Sequence, residues 1–132
     1  MAPIILSNNG SIEDSMRKFL TPWSMVKRVV NKKSDVYVFK PGEVDLSPDW
    51  VAGMFMLFSS EAYTMVGGFD DQYFMYCEDA DICTRLWKIG YSVLGSRSAS
   101  VIHNAQRASH KSFKHLAWHI QSIVRYFLAY AL

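Results

Sequence analysis

The segment from Gly67 to Gly90 restricts the fold more tightly than any other part of the chain. The pair Gly67-Gly68 is followed by Phe69-Asp70, an aromatic run through Tyr73, Phe74 and Tyr76, and then the carboxylates Glu78, Asp79 and Asp81. Ile82, Leu86 and Ile89 recur at helical spacing, and Gly90 stands where a left-handed C-cap belongs, so the pattern predicts a helix over 79–89. Asp79 fits the N-cap or first turn, where the helix dipole favours negative charge and keeps the carboxylate ionised at the expense of basicity. Asp81 and Arg85 lie four apart with the acid first; as a solvated pair they are worth about 0.3 kcal/mol. Asp81 therefore reads as structural. Glu78 and Asp79, expected outside the regular helical surface at the mouth of a cleft, are the chemical candidates.

The remaining pattern is α/β. Strands are expected at 3–6, 36–39, 50–58, 91–94 and 99–103, with turns at Asn9-Gly10 and Pro41-Gly42. The run 50–58 is the strongest buried strand, with Gly53 allowing close approach and Met54 and Met56 as core. The first strand is expected to leave an open sheet edge or to be covered by an oligomer. From His110 the residues Phe113, Leu116, Ala117, Ile120, Ile123, Val124 and Phe127 mark an amphipathic helix over about 110–130 whose apolar stripe packs inward. Trp118, Tyr126 and Tyr130 lie away from that stripe and offer a second surface, for a homodimer or for a membrane interface.

A chain that is 50% hydrophobic and 20% charged has the apolar surface for a core, which argues against disorder. A net charge of +2 without a recognition motif argues against nucleic acid. Cys77 and Cys83 have neither zinc-site nor disulfide-framework spacing and fit reduced cytoplasmic thiols. Lys27, Arg28, Lys32 and Lys33 read as a solvated face, with attraction to an anionic membrane surface as the alternative. The sequence contains no run of eighteen apolar residues and no signal-peptide pattern. The expectation is a cytoplasmic protein, with the inner face of the cell membrane as its alternative location.

Taken in order, Trp50-Val51-Ala52-Gly53-Met54-Phe55-Met56-Leu57, Gly67-Gly68-Phe69-Asp70, Phe74-Met75-Tyr76, Glu78-Asp79-Ala80-Asp81, Arg85 and Gly90-Tyr91 resemble the C-terminal half of family 2 glycosyltransferases. Asn9-Gly10-Ser11, Ser15, Arg17, Phe19 and Pro22 extend the likeness to the bacterial rhamnosyltransferase branch. The resemblance implies a partial GT-A fold, a mixed sheet with flanking helices, as a single domain over 1–132. The N-terminal nucleotide-binding half, with its Asp-x-Asp metal motif, is expected to be absent, since the family's catalytic unit is roughly twice as long. Asp79-Ala80-Asp81 matches that motif literally but in an acceptor-side context, so the match reads as coincidental.

The activity implied is inverting transfer from a dTDP- or UDP-sugar, with rhamnose suggested by the branch, to a saccharide or lipid-linked acceptor in cell-surface polysaccharide synthesis. Asp79 matches the position of the general base and Glu78 supports it. Trp50, Gly53, Phe74 and Tyr76 are candidate acceptor contacts, with core packing as the competing role for Trp50 and Phe74. His103, on one strand face with Ala99 and Val101, is by itself an ordinary core or surface histidine; the resemblance makes it a candidate ligand for Mn²⁺ or Mg²⁺. Arg107 and Lys111 are implied diphosphate contacts, or else a polar helix start. Two other classes remain: a non-catalytic acceptor-recognition or dimerisation module, and a metal-dependent hydrolase using Glu78, Asp79, Asp81 and His103.

Overall fold

The computed structural model describes residues 1–31, 35–104 and 113–130, and the backbone alone at 28–31. Lys32, Lys33, Arg107, Lys111 and the side chain of Arg28 lie outside that description. A continuous run of buried residues sets the first strand, β1 (Ala2–Leu6), which pairs in parallel with β5 (Gly95–Ile102). The register runs from Ala2 opposite Gly95 to Leu6 opposite Ile102, with an irregularity between Pro3 and Ile4. On its other side β5 pairs antiparallel with the short β3 (Asp45–Leu46), giving the order β1-β5-β3. A second sheet joins β2 (Met16–Arg17) to β4 (Trp50–Val51) in antiparallel register. The three-stranded sheet is mixed, the two-stranded one antiparallel, and helices accompany them, in agreement with the α/β expectation.

Five expectations about strands are corrected. The free side of β1 is not left open for another chain: Ile5 O accepts from Glu13 N–H at 2.8 Å, and Met1 exchanges backbone bonds with Leu57. The chain's own loops satisfy those groups. The expected strand 50–58 pairs only at Trp50–Val51. Beyond it burial still alternates, with Met54, Met56 and Phe58 half-buried and Gly53, Phe55 and Leu57 exposed, but no strand offers a ladder there. Residues 91–94 form no strand, and 36–39 make one isolated bridge, Val36 to Arg17. The expected strand 99–103 starts earlier, at Gly95, and ends at Ile102.

Four helices complete the described fold. In α1 (Pro22–Asn31), Pro22 occupies the first helical position, and Thr21 and Ser24 cap reciprocally through side-chain oxygens and backbone N–H groups. A short α2 (Ser60–Met65), not anticipated from the sequence, starts at Ser59, whose hydroxyl accepts from Ala62 N–H. The third helix, α3 (Glu78–Lys88), packs on β4 and buries Ala80, Ile82 and Cys83 completely. Gly90 follows it at φ +88°, the C-cap geometry the sequence predicted. Cys77 and Cys83 are buried free thiols, and burial pushes Cys83 up to about 12.

The last helix, α4 (Phe113–Tyr130), docks mainly by the face expected to be a second surface, and of the expected stripe only Ile123 and Phe127 pack against the core. Ser122 and Tyr126 are buried, and His115, Trp118, His119, Ile123 and Tyr130 are half-buried. Phe113, Leu116, Ile120, Val124 and Leu128 are exposed by 48–92%. Polar and aromatic anchoring decides this. Ser122 Oγ donates to Met75 O at 2.7 Å, Tyr126 Oη meets Thr84 Oγ1 at 2.8 Å, and Arg125 bridges Asp70 at 2.6 Å. Tyr130 Oη donates to Asp81, which also holds Arg85 through two N–H groups. Arg85 in turn donates to Val66 O and Gly68 O, tying the glycine turn to α3.

Candidate functional site

A cleft of about 420 Å³ opens where the end of β4, the start of α3, the end of β5 and one side of α4 meet. Of the residues singled out in the sequence, Trp50, Gly53, Tyr76, Glu78, Asp79 and His103 all line it. Phe74 does not: it is 72% exposed and leans on Trp118, ring centres 4.9 Å apart, because the turn carries it to the far side of Tyr76. Arg107 and Lys111 lie outside the described residues.

The backbone before α3 aims the carboxylates. Tyr76 and Cys77 hold φ values of 72° and 65°, consecutive left-handed conformations without glycine, each costing on the order of 1 kcal/mol or more. Cys77, rather than Asp79, is the N-cap residue, so Glu78 and Asp79 form the first helical turn instead of lying outside it. Asp79 Oδ2 accepts from Gly53 N–H at 2.8 Å and Oδ1 from Ala80 N–H at 2.8 Å. A Cβ at Gly53 would stand 3.6 Å from Asp79 Cβ, ordinary van der Waals contact, so the approach of the β4 loop to the acid does not itself require glycine.

Electrostatics correct the expected basicity of Asp79. Its carboxyl is raised above the ordinary aspartate range, chiefly by burial; the Gly53 and Ala80 N–H groups and the Arg17 charge oppose the shift without cancelling it. Burial outweighs the helix terminus. Glu78 is also raised, first by burial and then by the neighbouring Asp79 charge, and its Oε2 is buried without a hydrogen-bond partner. Two adjacent carboxyls with strengthened proton affinity at a cleft are a proton-transfer arrangement.

The walls are aromatic. Trp50 combines the two roles open to it: it is 5% exposed, with its indole N–H donating to Lys18 O at 2.7 Å, and it still lines the cleft. Tyr76 Oη bonds His115 Nδ1 at 3.0 Å, and its ring packs 4.8 Å from that of His119. His103 follows β5, its N–H donating to Leu6 O at 2.8 Å, and its Nδ1 is buried without a partner. That nitrogen suits a metal, but among the described residues no three His, Cys, Asp or Glu side chains converge to hold one. The described donor set does not by itself fit a divalent ion.

Arg17 and His119 line the cleft and were not singled out as site residues. Arg17 is held by Asp14, through its carbonyl at 2.7 Å and its carboxylate at 3.1 Å, and lies 5.1 Å from the centre of the Trp50 ring. Its only sequence signal was its place in the Ser15-x-Arg17-x-Phe19 resemblance; no periodicity points to it.

A cleft with paired first-turn carboxylates and aromatic walls, on a mixed α/β scaffold, is suited to activating a hydroxyl of a polar substrate. The chain belongs to the glycosyltransferase family whose model, described as "N-terminal domain of galactosyltransferase", matches residues 36–116. It is 41% identical over 83 residues to the rhamnosyltransferase WbbL of Escherichia coli K12, an alignment covering 62% of this chain and 31% of that protein. It is 40% identical over 74 residues to the N-acetylglucosaminyl-diphospho-decaprenol L-rhamnosyltransferase of Mycobacterium tuberculosis, covering 55% of this chain and 24% of that one. The chain thus spans less than a third of the length of these relatives. No solved structure gives a significant match.

Proposed function

We propose that this chain forms the acceptor side of an inverting, family 2 glycosyltransferase of GT-A fold, transferring a sugar from a nucleotide-sugar donor to a saccharide or lipid-linked acceptor in polysaccharide biosynthesis. One observation carries the reading: the Asp79 carboxylate, fixed by the Gly53 and Ala80 N–H groups at a cleft, is made more basic by burial. In the step, the acceptor oxygen bonds to the anomeric carbon while its proton passes to Asp79. The bond from that carbon to the diphosphate oxygen breaks, and its electron pair leaves with the nucleoside diphosphate. Attack from the face opposite the leaving group inverts the centre.

A carboxylate with a raised pKa takes a proton more readily than an ordinary one. Glu78 holds a second carboxyl beside it, Arg17 biases Asp79 toward its charged form, and Trp50 and Tyr76 supply flat apolar faces for a sugar. The relatives' names support rhamnose as the sugar and a diphospholipid-linked saccharide as the acceptor; dTDP or UDP is the carrier nucleotide of this proposal. His103 is a single proposed donor to Mn²⁺ or Mg²⁺; among the described residues no group of three His, Cys, Asp or Glu side chains gathers to complete such a site. Arg107 and Lys111 remain proposed diphosphate contacts. The proposed location is the cytoplasm, with the inner face of the cell membrane as its alternative.

The test is transfer from dTDP-rhamnose to an N-acetylglucosaminyl diphospholipid, read by mass spectrometry, for the complete enzyme that has this chain as its acceptor side and for its Asp79→Asn variant, with acceptor affinity measured by calorimetry. Transfer lost in the variant with affinity retained supports the assignment; full turnover in Asp79→Asn overturns the base. Acceptor binding without transfer by either chain favours the recognition-module reading.

A further inference from the structure

Two buried polar atoms without a partner among the described residues lie at one hollow. Tyr73, 6% exposed, has an unpaired hydroxyl, and the Nε of Arg125 is buried and unpaired as well. Both residues line a hollow of about 530 Å³ between the glycine turn, α3 and the end of α4. It shares no lining residue with the candidate cleft: α3 gives Asp79 to the cleft and Asp81 and Arg85 to the hollow. The Arg125 guanidinium stands 5.1 Å from the centre of the Tyr73 ring. Burial pushes the Tyr73 hydroxyl pKa up, and the two charges that act on it most, those of Asp81 and Arg125, both line this hollow, so the hydroxyl faces that side.

A buried donor without an acceptor destabilises a fold, and phenylalanine would fill the same space at position 73 without that cost. A ligand oxygen would give the hydroxyl its purpose. The rest of the hollow restricts what carries that oxygen. Asp81 is spent on Arg85 and Tyr130, and Asp70 on Arg125 and the Gln72 N–H. Three carboxylates against two guanidiniums disfavour an anion. Among the described residues no three His, Cys, Asp or Glu side chains are placed to hold a metal ion. The Tyr73 hydroxyl and Arg125 Nε call for an acceptor, whereas the exposed Asp71 carboxylate calls for a donor. Phe69, 42% exposed, adds a flat apolar face at the rim. A neutral ligand whose hydroxyls both donate and accept answers all of these demands, and a pyranose ring is such a ligand.

We propose that this hollow binds a pyranose unit of a saccharide, at a second site outside the candidate cleft, with sugar oxygens accepting from Tyr73 Oη and Arg125 Nε. The inference stands on this network and does not rest on the transfer reaction.

Titration of the ¹⁵N-labelled chain with N,N′-diacetylchitobiose, and separately with methyl α-L-rhamnopyranoside, tests it through the Arg125 Nε–H resonance. At least one of the two sugars should shift that resonance saturably, with the Gly53 amide serving as the marker of the cleft. Tyr73→Phe should weaken this binding at least tenfold while its melting temperature, read by circular dichroism, stays level or rises, because the variant removes an unsatisfied hydroxyl. A fall in melting temperature would make the hydroxyl a structural group, and binding untouched by the variant would leave it without a role; either result overturns the proposal. No shift with either sugar would leave ordered water as the only partner of the two donors and overturn it too. A shift with inorganic phosphate alone would make the hollow an anion site, and a sugar response at Gly53 without one at Arg125 would place the sugar in the cleft. Each of these also overturns the second site.

Discussion

Replacing Asp81 by Asn should destabilise the chain far more than its sequence spacing implies. As a solvated i,i+4 pair with Arg85 it would contribute about 0.3 kcal/mol. In the fold Asp81 is 3% exposed, its Oδ2 receives two Arg85 N–H groups at 2.8 and 2.7 Å, and its Oδ1 receives Tyr130 Oη. Breaking a buried ion pair from one side costs about 3–5 kcal/mol. The Arg85 side chain is 25% exposed and keeps the Val66 and Gly68 carbonyls, which reduces the expected loss to about 2–3 kcal/mol. At roughly 3–5 °C per kcal/mol for a domain of this size, the melting temperature should fall by about 6–15 °C. Thermal unfolding by circular dichroism, with urea titration as a second measure, reads this directly. A loss under about 0.5 kcal/mol would refute the claim that Asp81 ties α3, α4 and the glycine turn into one network.

Removing the Arg17 charge, as in Arg17→Met, should raise the Asp79 pKa further, because that charge favours the ionised carboxylate; the acid limb of the transfer rate against pH moves to higher pH. Asp79 and Glu78 are raised in the fold, so the folded chain holds protons that the unfolded chain has released above the ordinary carboxylate range. Stability therefore falls as pH rises from about 4 through the raised values, and Asp79→Asn should flatten that slope in urea titrations at a series of pH values. Gly68→Ala should cost about 1–2 kcal/mol in the same assay, since Gly68 sits at φ +73° and a Cβ would meet Tyr63 Oη at 3.1 Å; a neutral result would contradict the turn geometry.

What could be read from the sequence was what local chemistry fixes. The span of α3, the Gly90 cap and the Asp81–Arg85 pair follow from residue type and spacing within one element. The grouping of Trp50, Gly53, Tyr76, Glu78, Asp79 and His103 came from the resemblance, since these residues span more than fifty positions. What escaped depends on partners. Residues 50–58 carry a strand's apolar content, but a strand needs a neighbour, and among the described residues only Met16 and Arg17 provide a paired strand. The docking face of α4 was misread because hydropathy alone ranked its two faces. The bonds from Ser122, Tyr126 and Tyr130 to Met75, Thr84 and Asp81 chose the other one. The basicity of Asp79 was likewise misjudged, because a helix terminus is visible in sequence and desolvation is not.

The measurement that tests the central claim most directly is a titration of the ¹⁵N-labelled chain with a water-soluble N-acetylglucosaminyl diphosphate acceptor, followed by amide and indole NMR shifts. The Gly53 and Ala80 amides both donate to Asp79, and the Trp50 indole N–H lies at the same cleft, so they report on that site. The account predicts saturable shifts at Gly53, Tyr76, Glu78 and Ala80 and at the Trp50 indole. Shifts confined to the separate hollow around Tyr37, Phe39 and Arg97, or no shifts at all, would contradict it.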